Sequence, residues 1–182
     1  MSESTTSAPP GNLNRLAFSA TVHCLTGCAI GEVLGMILAT WWGWGNFASI
    51  VLAIVLAFVF GYGLTSWPLL RAGLAVSAVI PIALASDTLS ITVMEIVYNL
   101  IVVVIPGALE AGLSDLLFWG SLAFALPVAG AFAVPVNRWL LARGKGHAAV
   151  HETGIHGGPP VRLVGAVAAA SFAFGLAVLI AS

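Results

Sequence analysis

The chain is divided into long apolar runs by short polar breaks. Four of these runs, at about 16–40, 47–67, 115–142 and 162–181, each contain about 20 mostly apolar residues or more, the length that crosses a hydrocarbon layer roughly 30 Å thick. They are predicted to be membrane-spanning helices. The polar, Pro-containing segment 1–15 before them is predicted to be a disordered tail.

The remaining apolar stretch, 72–105, does not have the length of an ordinary span. As one straight helix it would be about 51 Å long at about 1.5 Å per residue, too long for one upright crossing and too short for two crossings with a loop. Pro81 removes a helical hydrogen bond, and Ser86, Asp87 and Thr88 follow it. We therefore predict one net crossing by a kinked or interrupted helix.

The distribution of the basic residues also favours one crossing of the membrane by 72–105. With one crossing in 72–105, Arg15, Arg71 and the group from Arg138 to Arg162 lie on one side of the membrane, and Glu110 and Asp115 lie on the other. Because basic residues accumulate on the cytoplasmic side, the chain is predicted to have five spans and a cytoplasmic amino terminus. The predicted fold is an all-α, polytopic membrane helix bundle, with 16–182 as its transmembrane domain.

Composition supports a membrane protein and argues against other classes. Hydrophobic residues make up 60% of the chain and charged residues 7%, which a soluble domain with a large polar surface would not sustain. The formal net charge of -1 gives no reason to expect a nucleic-acid partner. The lipid bilayer is the expected partner. The two cysteines are too few for a disulfide framework.

The first predicted span carries the segment HCLTGCAIGE. At about 100° per residue, half of the helix circumference carries His23, Cys24, Gly27, Cys28, Gly31, Glu32 and Gly35. Gly27, Gly31 and Gly35 form a GxxxGxxxG stripe, which favours close helix packing. In one interpretation the cysteines are ordinary small core residues. Glu32 favours a functional site instead, because an ionisable group at the bilayer centre costs at least about 2.5 kcal/mol.

The segment MEIVYN in the third predicted span contains a second polar face. Glu95 and Asn99 are four residues apart, with Met94 and Tyr98 beside them, and Asp87 lies eight residues before Glu95. If this face meets that of the first span, thiol, carboxyl, amide and thioether groups form one buried cluster. Two close carboxyl groups in a dry site would share a proton or be neutralised by a cation.

The nature of such a cation depends on the donors. Cysteine, histidine and methionine favour Cu(I) or Zn, whereas carboxylates alone would suit harder ions or protons. The HC-x3-C spacing matches no zinc signature known to us, and one helix cannot close a tetrahedral site. After the fourth span, His147 and His151 stand at i and i+4, with His156 as a third candidate ligand. Histidines in a Gly-rich segment are also often merely solvated.

Several motifs together resemble a bacterial family of small membrane proteins defined as a domain of unknown function. These motifs, over roughly residues 20–151, are HCLTGCAIGE, MEIVYN, IPGALEAGL, LFWGS and PVNRWLLARGKGH. The resemblance implies a helical domain of the bacterial inner (cytoplasmic) membrane. The residues that match the family's pattern are His23, Cys24, Cys28, Glu32, Glu95, Asn137, Lys145 and His147. At the position of Tyr98 the family often has an acidic residue, so this chain would have one carboxyl group fewer.

Three functions are consistent with these residues. The leading hypothesis is transport or binding of copper or zinc, with His23, Cys24, Cys28, Glu32 and Glu95 as intramembrane ligands and His147 and His151 as an exchange site. Met94, Asn99 and Asp87 would be substrate-binding residues beside these ligands. The alternative is an accessory or packing subunit of a larger membrane complex or a homo-oligomer. A thiol enzyme is the least favoured, and neither haem nor nucleotide is expected.

Overall fold

The structure, a computed structural model, describes residues 10–143 and 161–182, and these residues form helices and no strands. The five helices are α1 (Pro10–Trp42), α2 (Asn46–Arg71), α3 (Val76–Val104), α4 (Leu116–Ala142) and α5 (Val161–Ala181). The first four are long and apolar enough to cross a membrane. The predicted all-α polytopic bundle is confirmed.

A glycine with a positive φ lies in the reversal after each of the first three helices. Gly43, Gly73 and Gly107 follow α1, α2 and α3, and their φ angles are +67°, +88° and +76°. Positive φ is compatible with a chain reversal but not with a right-handed helix, and only glycine adopts it without a steric penalty. Each reversal therefore falls where the sequence places a glycine between two apolar runs.

The structure differs from the predicted end of the tail, and of the two alternatives for 72–105 it excludes the interrupted helix. Helix α1 begins at Pro10, so residues 10–15 belong to the helix and not to the tail. Helix α3 is one continuous helix of 29 residues that is not interrupted at Ser86–Thr88. The hydroxyls there bond to their own helix, from Ser86 Oγ to Ala83 O at 3.1 Å and from Thr88 Oγ1 to Leu84 O at 2.6 Å. Their polar atoms are satisfied without a break in the backbone ladder.

Pro81 does not lie near the middle of α3. It is the sixth residue of the helix, because α3 begins at Val76 and not at 72. The hydrogen bond that proline removes is therefore lost near the first turns. The longer, later part of α3 is free of proline and presents its polar side chains on a regular helical face.

The helices alternate in direction. One end of the bundle, the basic end, carries Arg71 and Arg143, and the opposite, acidic end carries Glu110 and Asp115. Helices α1 and α3 run from the basic end to the acidic end. Helices α2 and α4 run the other way, so α1 and α3 are parallel. At the basic end the guanidinium of Arg71 lies 4.8 Å from the ring centroid of Trp67, and that of Arg143 lies 4.2 Å from Trp139. Such pairs suit the interface of a membrane with water.

Helix α1 is central and packs against α2, α3 and α4. Its closest neighbour is α2. A Cβ atom on Gly27 would lie 2.7 Å from the Cα of Gly61, and one on Gly35 would lie 2.6 Å from the Cα of Ala53. A Cβ on Gly31 would meet the backbone of Ala57. The missing side chains of the glycine stripe therefore allow the backbones of α1 and α2 to touch.

Candidate functional site

The polar face of α1 is divided between two neighbouring helices. The glycine stripe contacts α2, whereas Cys24, Cys28 and Glu32 contact side chains of α3. All three of these side chains are buried, with exposed fractions of 0%, 1% and 5%. The structure therefore brings together the polar faces of the first and third spans.

A lower layer of the site, nearer the basic end, is formed around Cys24 and Asp87. The Cys24 Sγ atom donates to Asp87 Oδ1 across 3.6 Å. Asp87 is fully buried and also contacts the side chains of Thr65 and Ser86, and Ser90 contacts the Cys24 thiol. Hydroxyl and thiol donors therefore surround a carboxyl group that lipid and bulk water do not reach.

His23 and Asn137 extend this layer. The His23 Nε2 atom lies 3.0 Å from Thr65 Oγ1, which links α1 to α2. Asn137 of α4 donates from Nδ2 to Thr21 Oγ1 at 2.9 Å and to Ser90 Oγ at 3.0 Å. Together these bonds connect all four long helices at one level. Asn137 thus bonds to side chains of two neighbouring helices.

An upper layer, nearer the acidic end, contains Cys28, Glu32, Glu95, Tyr98 and Asn99. The Cys28 thiol contacts the Glu95 carboxyl group, and the Glu32 carboxyl group lies within hydrogen-bonding range of the side chains of Glu95 and Tyr98. Asn99 Nδ2 donates to the Glu95 backbone oxygen at 2.9 Å and lies 3.4 Å from Glu95 Oε2. Two carboxyl groups this close in a buried site share a proton or hold a cation, because both cannot stay charged.

The lower and upper layers are separated by the same number of residues on α1 and on α3. Cys24 and Glu32 are eight residues apart on α1, and Asp87 and Glu95 are eight residues apart on α3. Eight residues of helix rise about 12 Å. Because α1 and α3 are parallel, both pairs meet in register and form a ladder of polar contacts along the bundle.

The sulfur atoms belong to one apolar cluster. Cys24, Cys28 and Met94 lie in the same core cluster, together with Ile91 and Ala57. Met94 is 1% exposed. The two thiols and this thioether are therefore enclosed in the centre of the bundle, with one carboxyl group beside each thiol.

A small polar cavity opens beyond the upper layer, toward the acidic end. Its volume is about 60 Å³, and it is bordered by polar side chains of all four long helices. These side chains are Glu32, Asn46, Ser49, Tyr98, Asn99 and Ser121. The sequence analysis did not identify Ser49 or Ser121. Asn46 is exposed, so the cavity extends to the end of the bundle.

The site residues that sequence reasoning missed lie mainly on α2. Its buried face reads Ser49, Ala53, Ala57, Gly61 and Thr65 at intervals of four. This run of small and hydroxyl-bearing residues matches the glycine stripe of α1 in its period. The period could have predicted the α1–α2 contact, and it could have placed Thr65 and Ser49 at the two ends of that contact.

The structure does not bring every predicted ligand together. Within 10–143 and 161–182, no group of three or more His, Cys, Asp and Glu side chains could hold a metal ion. Cys24 contacts Asp87, whereas Cys28 and Glu32 contact Glu95. His147 and His151, together with Lys145, lie outside the described residues.

Comparison with known proteins identifies the chain at the level of a family. No curated protein and no solved structure matches it. A family model described as a domain of unknown function, DUF4396, matches residues 14–146, which include α2 to α4, all but the first turn of α1, and both layers of the site. The chain therefore belongs to the DUF4396 family, whose members share a domain of unknown function.

Proposed function

We propose that this protein binds and transports a soft transition-metal ion, copper(I) foremost, through the buried thiols and carboxyl groups between α1 and α3. One observation carries the proposal: each thiol of α1 contacts a carboxyl group of α3 inside the bundle. Cys24 pairs with Asp87, and Cys28 pairs with Glu95. An ionisable group within a membrane is costly and by default indicates a functional site.

The donor chemistry supports copper(I). Thiolate and thioether donors select soft ions, and Cys24, Cys28 and Met94 lie in one core cluster. A cation inside a low-dielectric bundle also needs negative charge beside it. Asp87 and Glu95 supply carboxyl groups at the two levels of the thiols. The donors follow the bundle axis, so an ion could pass from one layer to the next without meeting lipid.

The orientation of the protein in the membrane is proposed from its basic residues. Arg71 and Arg143 lie at the basic end, which we assign to the cytoplasmic side. The amino terminus is then cytoplasmic, and the family resemblance places the protein in the cytoplasmic membrane of a bacterium. His147 and His151 follow Arg143 in the sequence, so they are proposed as the cytoplasmic exchange site.

The test is metal binding by the full chain purified in detergent. Copper(I) is titrated against a coloured copper(I) chelator, with zinc in a parallel titration. We expect stoichiometric copper(I) binding that a Cys24→Ser, Cys28→Ser double substitution abolishes. Met94→Leu should weaken copper(I) binding. The matched control is Met36→Leu, because Met36 lies outside the sulfur cluster and should leave binding unchanged.

Two results would refute this function. One is the absence of stoichiometric copper(I) or zinc binding in the wild-type chain. The other is unchanged binding in the double cysteine variant. Transport is then measured in vesicles containing the purified protein, where the same double variant should lose metal uptake.

The alternative function is that of an accessory subunit, and a groove favours it. An apolar groove of about 890 Å³ lies between α1, α4 and α5, bordered by residues such as Leu25, Leu126 and Phe174. A helix of a partner or of a second copy would bury this surface. A stable monomer in mild detergent would argue against this function, and a stoichiometric copurifying subunit would support it.

A further inference from the structure

We infer that the polar cavity at the acidic end binds a hard monovalent cation, of which Na⁺ is the probe we choose. The cavity adjoins the sulfur cluster through Tyr98, but the inference does not rest on the proposed copper function. Three observations carry it: the hydrogen-bonding state of the lining groups, a buried acceptor atom of Glu32, and the size of the cavity.

Two of the lining hydroxyls, those of Ser49 and Ser121, donate their hydrogens to backbone oxygens, and the Tyr98 hydroxyl contacts the Glu32 carboxyl group. Ser49 Oγ donates to Gly45 O at 3.1 Å, and Ser121 Oγ donates to Phe118 O at 2.9 Å. A hydroxyl has one hydrogen to donate, and what remains on each oxygen is acceptor capacity. The Asn99 amide nitrogen is likewise occupied by Glu95. The cavity therefore presents oxygen acceptors, which attract a cation and repel an anion.

Glu32 supplies the negative group. Its side chain is 5% exposed, and its Oε1 atom is buried without a hydrogen bond of good geometry among the described residues. Leaving a buried acceptor unsatisfied is costly, and more so when it carries charge. Glu32 lines the cavity, so we infer that an ion bound there coordinates this carboxyl group. The ion would satisfy the acceptor and neutralise the carboxylate together.

Size and charge determine the kind of ion. A cavity needs roughly 10–15 Å³ to hold one water molecule. The cavity of about 60 Å³ therefore holds a small ion with a few water molecules but excludes an organic substrate. Carboxylate, hydroxyl and amide oxygens are hard donors. Among the described residues Glu32 is the one carboxyl group that lines the cavity, and a proton held by Glu95 beside it leaves one negative charge for a monovalent ion. Asn46 lies at the open end, so the ion can enter from water.

The experiment is thermal unfolding of the full chain in detergent. NaCl is titrated against choline chloride at constant ionic strength. We expect a saturable, Na⁺-specific rise in Tm, and we expect Glu32→Gln to lose it. The matched control is Glu110→Gln, an exposed carboxyl group in the turn after α3, which should retain the full rise. No difference between Na⁺ and choline, or a full Na⁺ response in Glu32→Gln, overturns the inference.

A second variant tests the same site if Glu32→Gln does not fold. Ser121→Ala removes one oxygen ligand and should raise the Na⁺ concentration at half-saturation about tenfold. An unchanged midpoint in Ser121→Ala would overturn the site.

The inference and the proposed function fail separately. The Cys24→Ser, Cys28→Ser variant should keep the Na⁺ response even though it loses copper(I). A Na⁺ response that requires the thiols would show one shared site and overturn the inference. Absent copper(I) binding together with a Glu32-dependent Na⁺ response would refute the metal function and support this one.

Discussion

Replacing Gly31 by alanine tests the packing on which the site depends. The new Cβ would meet the backbone nitrogen and Cα of Ala57 on α2. Backbone atoms cannot rotate away, so we take the upper part of the usual overpacking range, about 3 kcal/mol. Alanine is about 1 kcal/mol better than glycine in a helix. The net expectation is a loss of about 2 kcal/mol in the free energy of unfolding.

Gly63→Ala is the matched control for this change. Gly63 lies on α2, and no atom lies within 4 Å of the position that a Cβ would occupy. The same substitution should therefore stabilise the helix by up to about 1 kcal/mol. Both variants are unfolded with SDS in mixed micelles, and the transition is followed by tryptophan fluorescence. If Gly31→Ala is as stable as the wild type, the backbones of α1 and α2 do not touch as described.

Two further pairs of variants test the hydrogen bonds and the turns by the same unfolding assay. Asn137→Ala removes two interhelical bonds and should cost about 1–2 kcal/mol, whereas Thr26→Ala, whose hydroxyl bonds only within α1, should cost almost nothing. Equal stabilities would show that the Asn137 bonds contribute nothing. Gly43→Ala should cost about 1–2 kcal/mol because φ is +67° there. Gly165→Ala, inside α5 with no positive φ and no atom within 4 Å of the new Cβ, should be neutral or slightly stabilising, and similar losses at both positions would contradict the turn geometry.

The sequence predicted the helices well because lipid leaves the backbone few alternatives. Every peptide group in the hydrocarbon layer must bond within the chain, so an apolar run of sufficient length becomes a helix. The same rule explains why α3 is not interrupted. Ser86 and Thr88 suggest a break in an aqueous protein, but within a bundle their hydroxyls bond to carbonyls of their own helix.

The division of the α1 face could not be predicted from one helix. Periodicity placed Gly31 and Glu32 on one half of the circumference, yet Gly31 contacts α2 and Glu32 contacts α3. Which neighbour occupies which part of that half depends on how three helices pack together. The carboxyl contact with Glu95 and the hydroxyls of Ser49 and Ser121 in the cavity likewise depend on tertiary packing.

The equal spacing on α1 and α3 restricts where the chain can gain or lose residues. Inserting a single residue between Cys24 and Glu32 would turn the rest of α1 by about 100° and advance it by about 1.5 Å. Cys24 would keep Asp87, but Glu32 would swing away from Glu95, and Gly35 would leave Ala53. Related chains should therefore vary in length at the reversals near Gly43 and Gly73 and keep these eight-residue intervals constant.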